Sequence, residues 1–303
     1  MQDRIHSSTA VLVAAIRAYH SIETSPKIFD DTIARRLISD EEYEKFQQGC
    51  ARWLPRLDPV LAVSCPDQAS LVHHFQIEST GTVIVLVRGR YIEETLHAAV
   101  ARGLHQYVVI GAGLDTLPFR RPDLGRHLQI FEIDHPASQT FKLARLHRAG
   151  IAVPPYLHFA AADLERESVA SALQGTSYDP DQPTLFAWPG VTMYLTREAI
   201  CATLRSIASI AKQGSEVVFD YLESDAFNED VPARVKVMLE RVRECGEPMI
   251  SGFDPIRLPR ELLESGMVLE EDLGPKDVRA RFLTADGVLR PSEFWHLARG
   301  TIR

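Results

Sequence analysis

VVIGAGLDTLPFRR, residues 108–121, is the stretch on which the reading of this chain turns. An apolar, β-branched run ending at Ile110 passes into Gly111-Ala112-Gly113, and two glycines so spaced allow a tight turn and a close approach of backbone to a ligand. After a strand, such a turn suggests a dinucleotide whose pyrophosphate rests on the N-terminus of the next helix. Two residues oppose that reading. The third glycine of the dinucleotide fingerprint would fall where Thr116 stands, and the carboxylate of Asp115 would repel a phosphate and attract a cation. Asp at the start of a helix is also a common N-cap, so for Asp115 a ligand contact and a cap both stand as readings.

Outward from the turn, the chain alternates. Short apolar runs at 107–110, 129–133, 157–160, 184–188 and 216–221 predict strands, and the stretches 137–149, 165–173 and 197–211 predict helices between them. Repetition of this kind predicts an α/β fold, a parallel sheet with helices on both faces. Upstream the patterns are helical: 9–16 behind Ser7 and Ser8, which can cap a helix start, then 32–38, 40–48, and 91–102 ended by Gly103. Downstream, 267–271, 275–282 and 293–297 are expected to finish the sheet at one edge.

In an open parallel sheet, ligands bind beyond the carboxyl ends of the strands, where the strand order reverses. Three successive strand exits carry an acid. Asp115 follows the first. Asp134 follows the second, 21 residues after Gly113, the separation at which an acid reaches the ribose hydroxyls of a bound adenosine. At the third, Asp163 with Leu164 suits an adenine, its carboxylate accepting from the amino group and the leucine covering the ring; Asp163 is equally placed to cap a helix. Both NAD and S-adenosylmethionine contain the ribose. Only the second brings a sulfonium and an ammonium, which an acidic rim attracts.

Composition narrows the classes. With 303 residues, 45% of them hydrophobic, the chain reads as a globular protein, and a formal charge of −8 argues against coating nucleic acid, whose binding depends on clustered Lys and Arg. Cys50, Cys65, Cys201 and Cys245 form no Cys-x-x-Cys pair, so neither a metal ribbon nor a disulfide framework is read, and a cytoplasmic location is expected. The apolar stretch 10–16 is interrupted by Arg17 and lacks a cleavage pattern, and no run approaches the roughly 18 apolar residues of a membrane span. No His-Glu-x-x-His, nucleophile elbow or phosphate loop is present, so hydrolase and triphosphatase readings are weak and no metal site is expected.

The motifs together resemble the bacterial branch of the leucine carboxyl methyltransferase family, which includes polyketide carboxyl O-methyltransferases of the tetracenomycin type. The resemblance runs from Ser7-Ser8-Thr9-Ala10 through Phe29-Asp30-Asp31-Thr32-Ile33-Ala34 to Phe294-Trp295-His296-Leu297-Ala298. Its most specific parts are Arg88-Gly89-Arg90-Tyr91-Ile92, the run from Gln106 to Thr116, Glu132-Ile133-Asp134-His135-Pro136 and Gly190-Val191-Thr192-Met193-Tyr194-Leu195-Thr196. It implies a class I methyltransferase fold: a seven-stranded, mostly parallel sheet with an antiparallel last strand. Residues 1–103 would form an N-terminal helical cap within the same globular unit, and residues 104–303 the Rossmann-like methyltransferase domain.

The resemblance also implies that Arg88 pairs with the carboxylate of S-adenosylmethionine, a task suited to the planar guanidinium fork. It matches Asp134 to the ribose acid and Asp163-Leu164 to the adenine contacts. Arg90 either shares the task of Arg88 or supports Glu93 and Glu94, and the alternative for both arginines is a solvated or salt-bridged place within a helix. The expected cofactor site is therefore Arg88, Gly111, Ala112, Gly113, Asp115, Asp134, Asp163 and Leu164. There are departures. Trp188-Pro189-Gly190 stands where eukaryotic members carry a glutamate, Leu117-Pro118-Phe119-Arg120 replaces a stretch that usually begins with arginine, and Glu93-Glu94 stands where two aspartates are common.

Methyl transfer is an in-line displacement at carbon, so the protein's main task is to hold acceptor oxygen, methyl and sulfur in line. A carboxylate acceptor arrives ionised, whereas a phenol, with a pKa of about 10, benefits from a general base. His73, His74 and His135 are candidate bases, and Tyr194 and Tyr221 could orient an acceptor, but each reads equally as structural, and no catalytic residue is singled out. The sequence thus points to an S-adenosylmethionine-dependent O-methyltransferase of a small molecule, a carboxylate or phenol of secondary metabolism. Two alternatives are a catalytically silent cofactor-binding member, motivated by Pro189, and a nicotinamide-dependent oxidoreductase, disfavoured by Asp115 and Thr116.

Overall fold

The structure is a computed structural model that describes residues 8–283, 289–290 and 292–303. Ser7, expected to help cap the first helix, lies outside them. Helices come first: α1 (Ser8–Glu23), α2 (Ala34–Leu37), α3 (Asp40–Leu57), α4 (Pro59–Ser64), α5 (Gln68–Glu78) and α6 (Thr80–Ala101). Alternation follows: β1 (Gln106–Ile110), α7 (Leu117–Arg120), β2 (Gln129–Asp134), α8 (Pro136–Arg148), β3 (Leu157–Ala161), α9 (Val169–Leu173), β4 (Thr184–Trp188), α10 (Arg197–Ile210) and β5 (Glu216–Leu222). The chain closes with α11 (Ala233–Glu244), α12 (Leu258–Glu264), β6 (Met267–Leu273), α13 (Pro275–Phe282) and β7 (Trp295–Ile302).

The seven strands lie in the order β3-β2-β1-β4-β5-β7-β6. β1 to β5 pair parallel, and β7 runs antiparallel to both of its neighbours. This is the class I methyltransferase arrangement, and the tail finishes the sheet at one edge as expected, with β7 inserted between β5 and β6 so that β6 is the edge strand. The order reverses at β1 and β4, which opens a crevice beyond their carboxyl ends. β1 shows how the sheet is anchored. Its residues alternate between faces, Val108 and Ile110 packing with Ile200, Leu204 and Ile207 of α10, and Tyr107 and Val109 packing with Val87, Tyr91 and Leu96 of α6.

Several expected boundaries move, each for a physical reason. The helix expected at 91–102 begins at Thr80, because Val83 to Val87 are all buried, and a segment covered all round shows no helical period. The helix expected at 165–173 begins only at Val169. Asp163 accepts from the Glu165 N–H (3.1 Å) and donates its own N–H to the Glu167 carboxylate (3.0 Å), tying 163–167 into turns, and Ser168 then caps α9 through a reciprocal pair with Ser171. The stretch expected at 32–38 is helical only over α2, since Asp31 accepts from the N–H groups of Ile33 and Ala34 and turns the chain there. α1 runs past its expected end to Glu23, and α3 runs past 48 to Leu57. α4 and α5 have caps legible in the sequence, Asp58 accepting from Leu61 N–H and Asp67 from Ser70 N–H, but their short patterns were not assigned.

One buried ion pair ties α8 to the sheet. Lys142 and Glu132 are each 1% exposed, with Nζ to Oε2 at 2.5 Å. Burial pushes the Glu132 carboxyl up to about 7 against the pull of the Lys142 ammonium, and its second oxygen has no hydrogen-bond partner. Removing one member of such a pair costs far more than removing both. Lys142→Met is therefore expected to lower the stability measured by urea unfolding at pH 8 by about 3–5 kcal/mol. The deficit should shrink at pH 5, where Glu132 is protonated, and Glu132→Gln combined with Lys142→Met should cost less than Lys142→Met alone. A deficit independent of pH would contradict the pair's electrostatic origin.

Candidate active site

A cavity of about 1450 Å³ opens at the carboxyl ends of β1, β2, β3 and β4. It exceeds the roughly 300–1,000 Å³ of ordinary small-ligand pockets, so two molecules can occupy it side by side. All eight residues expected to hold a cofactor line it: Arg88, Gly111, Ala112, Gly113, Asp115, Asp134, Asp163 and Leu164. The opposite wall is mainly apolar, interrupted by Arg17, Glu93 and Glu247. Leu12 and Ile16 of α1, Ile84 and Ile92 of α6, Met238 and Val242 of α11, and Met249 enclose it.

The glycine turn is sealed onto β2. Gly111 and Ala112 donate their N–H groups to the Ile133 carbonyl (2.8 and 3.3 Å), and the Gly113 N–H donates to the Asp134 carboxylate at 2.6 Å. Both glycines have positive φ, and a Cβ on Gly111 would come within 2.6 Å of the Val191 side chain, so only glycine fits there. The other oxygen of Asp134 accepts from the His135 N–H (2.7 Å), and burial raises the carboxyl from its usual range. Each oxygen keeps a lone pair for a further donor. Turn and acid are thus one rigid unit, which explains why their spacing was readable.

Asp115 stands one residue before the N-cap position of α7, which Thr116 holds, and it faces the ligand space. Its Oδ1 accepts from the Leu117 N–H (2.8 Å) at the start of α7, and the residue still lines the cavity. Asp163 closes a turn, as described, and stands beside Leu164 on the cavity wall with Arg166 at 3.6 Å. Arg88 makes an ion pair with Asp220 (3.2 Å) while lining the cavity. Arg90 instead pairs with Glu94 (2.7 Å), and Arg120 pairs with Glu93.

The candidate bases and orienting residues separate. His73 and His74 sit on α5, which packs on α3, and neither reaches the cavity. Tyr221 is fully buried and donates to Asp272 (2.8 Å), a structural role. His135 lines the cavity, but its Nδ1 accepts from the Ala137 N–H (3.2 Å) as the cap of α8. Tyr194 lines the cavity as well, its phenol pushed above the ordinary value by burial, which makes it a hydrogen-bond donor and no base.

Sequence reasoning missed the acids behind the wall. Asp31 is fully buried, in contact with Arg17 (3.1 Å) and Arg120 (3.3 Å), and accepts from the Thr116 hydroxyl (2.7 Å). Arg17 continues to the Leu114 carbonyl (2.7 Å). Thr116 therefore stands in place of a third glycine because its hydroxyl is needed. Asp31 sits between exposed Asp30 and Thr32 and carries no local signal of burial, whereas Asp220 follows the apolar run 217–219 and precedes Tyr221 and Leu222, a pattern in which a lone acid stands out.

A family model described as leucine carboxyl methyltransferase matches residues 10–208. The chain is 32% identical over 292 residues to the "Putative S-adenosyl-L-methionine-dependent methyltransferase YktD" of Bacillus subtilis (strain 168), covering 94% of this chain and 93% of that one. It is 29% identical over 240 residues to a protein described in similar words from Mycolicibacterium smegmatis, covering 78% and 73%. A solved structure of a DUF574 family protein from Streptomyces avermitilis shares its fold, with a TM-score of 0.64 and 14% identity over 99% of this chain and 100% of that chain.

Replacing Asp31 by Asn removes the carboxylate that faces the buried Arg17 guanidinium and one of the two that face Arg120. The expected cost is about 3–5 kcal/mol in urea unfolding. Limited proteolysis should cut α1 faster in the variant, and an unchanged cleavage rate would show that this carboxylate does not hold α1 on the glycine turn.

Proposed function

The chain belongs to the leucine carboxyl methyltransferase family and is an S-adenosylmethionine-dependent methyltransferase; from that premise we propose that it methylates an oxygen of a small, largely apolar acid. The observation that carries the proposal is the division of one cavity into an acidic rim at the strand ends and an apolar wall from α1, α6 and α11. S-adenosylmethionine supplies an electrophilic methyl on a sulfonium when bound. The residues present suit it. Asp134 is fixed by two backbone N–H groups with lone pairs to spare for ribose hydroxyls, Leu164 offers an apolar cover for adenine beside the Asp163 acceptor, and Asp115 favours an ammonium. Arg88 offers its fork to a carboxylate.

The acceptor compartment supports a carboxylate over a phenol, the other acceptor the sequence allowed. Among the described lining residues the one histidine, His135, is engaged as a helix cap, Glu93 is paired with Arg120, Glu247 accepts from the Ser8 N–H and the Thr9 hydroxyl, and Tyr194 holds its proton. An oxygen that arrives ionised at neutral pH needs none of them as a base. The work left to the chain is to exclude water and orient the acceptor, which an apolar wall does well. Such acids are typical of secondary metabolism, the setting the family resemblance suggested.

Two measurements test this. Calorimetry should find binding of S-adenosylmethionine and S-adenosylhomocysteine, lost in Asp134→Lys; unchanged affinity in that variant would remove Asp134 from the site, and binding of NAD alone would remove the cofactor assignment. Incubation with methyl-labelled S-adenosylmethionine and pooled aromatic or aliphatic carboxylic acids should give a product whose label is released by mild alkali, as a methyl ester requires. A label stable to alkali would indicate a phenol ether instead, and no labelled product from carboxylic or phenolic pools would favour a silent, cofactor-binding protein.

A further inference from the structure

Asp220 presents a problem that the methyltransferase reading does not absorb. It lies in β5, a strand buried along its whole length, and its side chain is 1% exposed. A carboxylate there is costly unless fully paired. Three elements supply its partners: the Gly190 N–H after β4 (2.5 Å), the Trp295 indole N–H of β7 (2.9 Å) and Arg88 Nη1 of α6 (3.2 Å). Two of these donors are neutral. The Gly190 N–H of the loop after β4 holds Oδ1, and the Trp295 indole N–H of β7 shares Oδ2 with Arg88.

Arg88 is held differently. Among the described residues its one hydrogen bond is the contact through Nη1, although a guanidinium has five N–H groups and a purely structural buried pair gains most from a bidentate fork. The side chain is 13% exposed, against 1% for its partner, and it lines the cavity while Asp220 does not. Gly190 completes the arrangement. A Cβ at that position would fall on the Arg88 guanidinium, so the loop after β4 has given up a side chain to make room for it.

We propose that Asp220 is a positioning residue for the cofactor's amino-acid end: fixed by Gly190 and Trp295, it grips one nitrogen of Arg88 and leaves the remaining N–H groups to receive the cofactor carboxylate. Pro189-Gly190 is then a working part of the site, since a bulky residue at 190 would displace the guanidinium. The inference rests on the reading that Arg88 pairs with that carboxylate.

S-Adenosylhomocysteine and 5′-methylthioadenosine separate the possibilities, because the second lacks the amino-acid end. Asp220→Asn keeps the size and removes the charge. It should weaken S-adenosylhomocysteine binding roughly tenfold, the worth of one charge-assisted hydrogen bond, and leave methylthioadenosine affinity within about twofold. Arg88→Met should show the same selective loss, and the two substitutions together should lose little more than either alone. Gly190→Ala, which leaves Asp220 intact, should reproduce the selectivity and stands in if Asp220→Asn does not fold. Equal weakening of both ligands, or unchanged or tighter S-adenosylhomocysteine binding in Asp220→Asn and Gly190→Ala beside a selective loss in Arg88→Met, would overturn the role of Asp220 and leave that of Arg88 standing. An Arg88→Met variant with no selective loss would overturn the underlying reading as well.

Discussion

A single buried carboxylate, that of Asp31, joins the helices before β1 to the turn after it. Arg17 of α1 and Arg120 of α7 face it from two sides, the Thr116 hydroxyl donates to it, and two backbone N–H groups of its own turn complete its shell. Arg120 also meets Glu93 of α6, so two carboxylates balance two guanidinium groups, and burial of such a cluster holds its elements in one relative position. The cavity depends on that position. α1 forms its apolar wall and the glycine turn forms its floor, and a Cβ on Gly113 would already touch Ala10 of α1 at 3.4 Å.

The same logic recurs around the cavity. Asp134 locks the turn to β2, Asp220 locks Arg88 to β5 and β7, and the Ser8 N–H and Thr9 hydroxyl meet the Glu247 carboxylate where α1 begins. Several charged groups near the ligand space are held by partners of the chain itself, Arg88 by Asp220, Glu93 by Arg120 and Asp134 by two backbone N–H groups. A site organised in this way needs little rearrangement on binding, because the cost of desolvating its ions is met during folding. Under the proposed function it also divides the labour: ionic contacts would serve the cofactor end, and the acceptor end would rely on van der Waals contact with aliphatic and methionine side chains, which adapt to irregular shapes.

The strands were legible because a parallel sheet buries both faces, and runs such as 107–110 or 185–188 are hydrophobic at every position. The same property hid half of α6, whose Val83–Val87 segment reads like a strand until its neighbours are known. The helix expected to start at Glu165 failed for a different reason. Its first residues are held by side chain to backbone bonds that compete with helical ones, a contest that composition alone does not decide.

Of the site, the sequence by itself determined what depends on short separations. The glycine turn, Asp115 and the acids at successive strand exits are placed by local backbone geometry and by the recurrence of the strand-helix unit, so their spacing carries their meaning. Only the tertiary structure decided what meets from far apart: Asp31 with Thr116, Arg88 with Asp220, β7 between β5 and β6. A buried charge is satisfied by whichever donor the packing brings to it, and packing is a property of the whole chain, with no trace in the residues on either side.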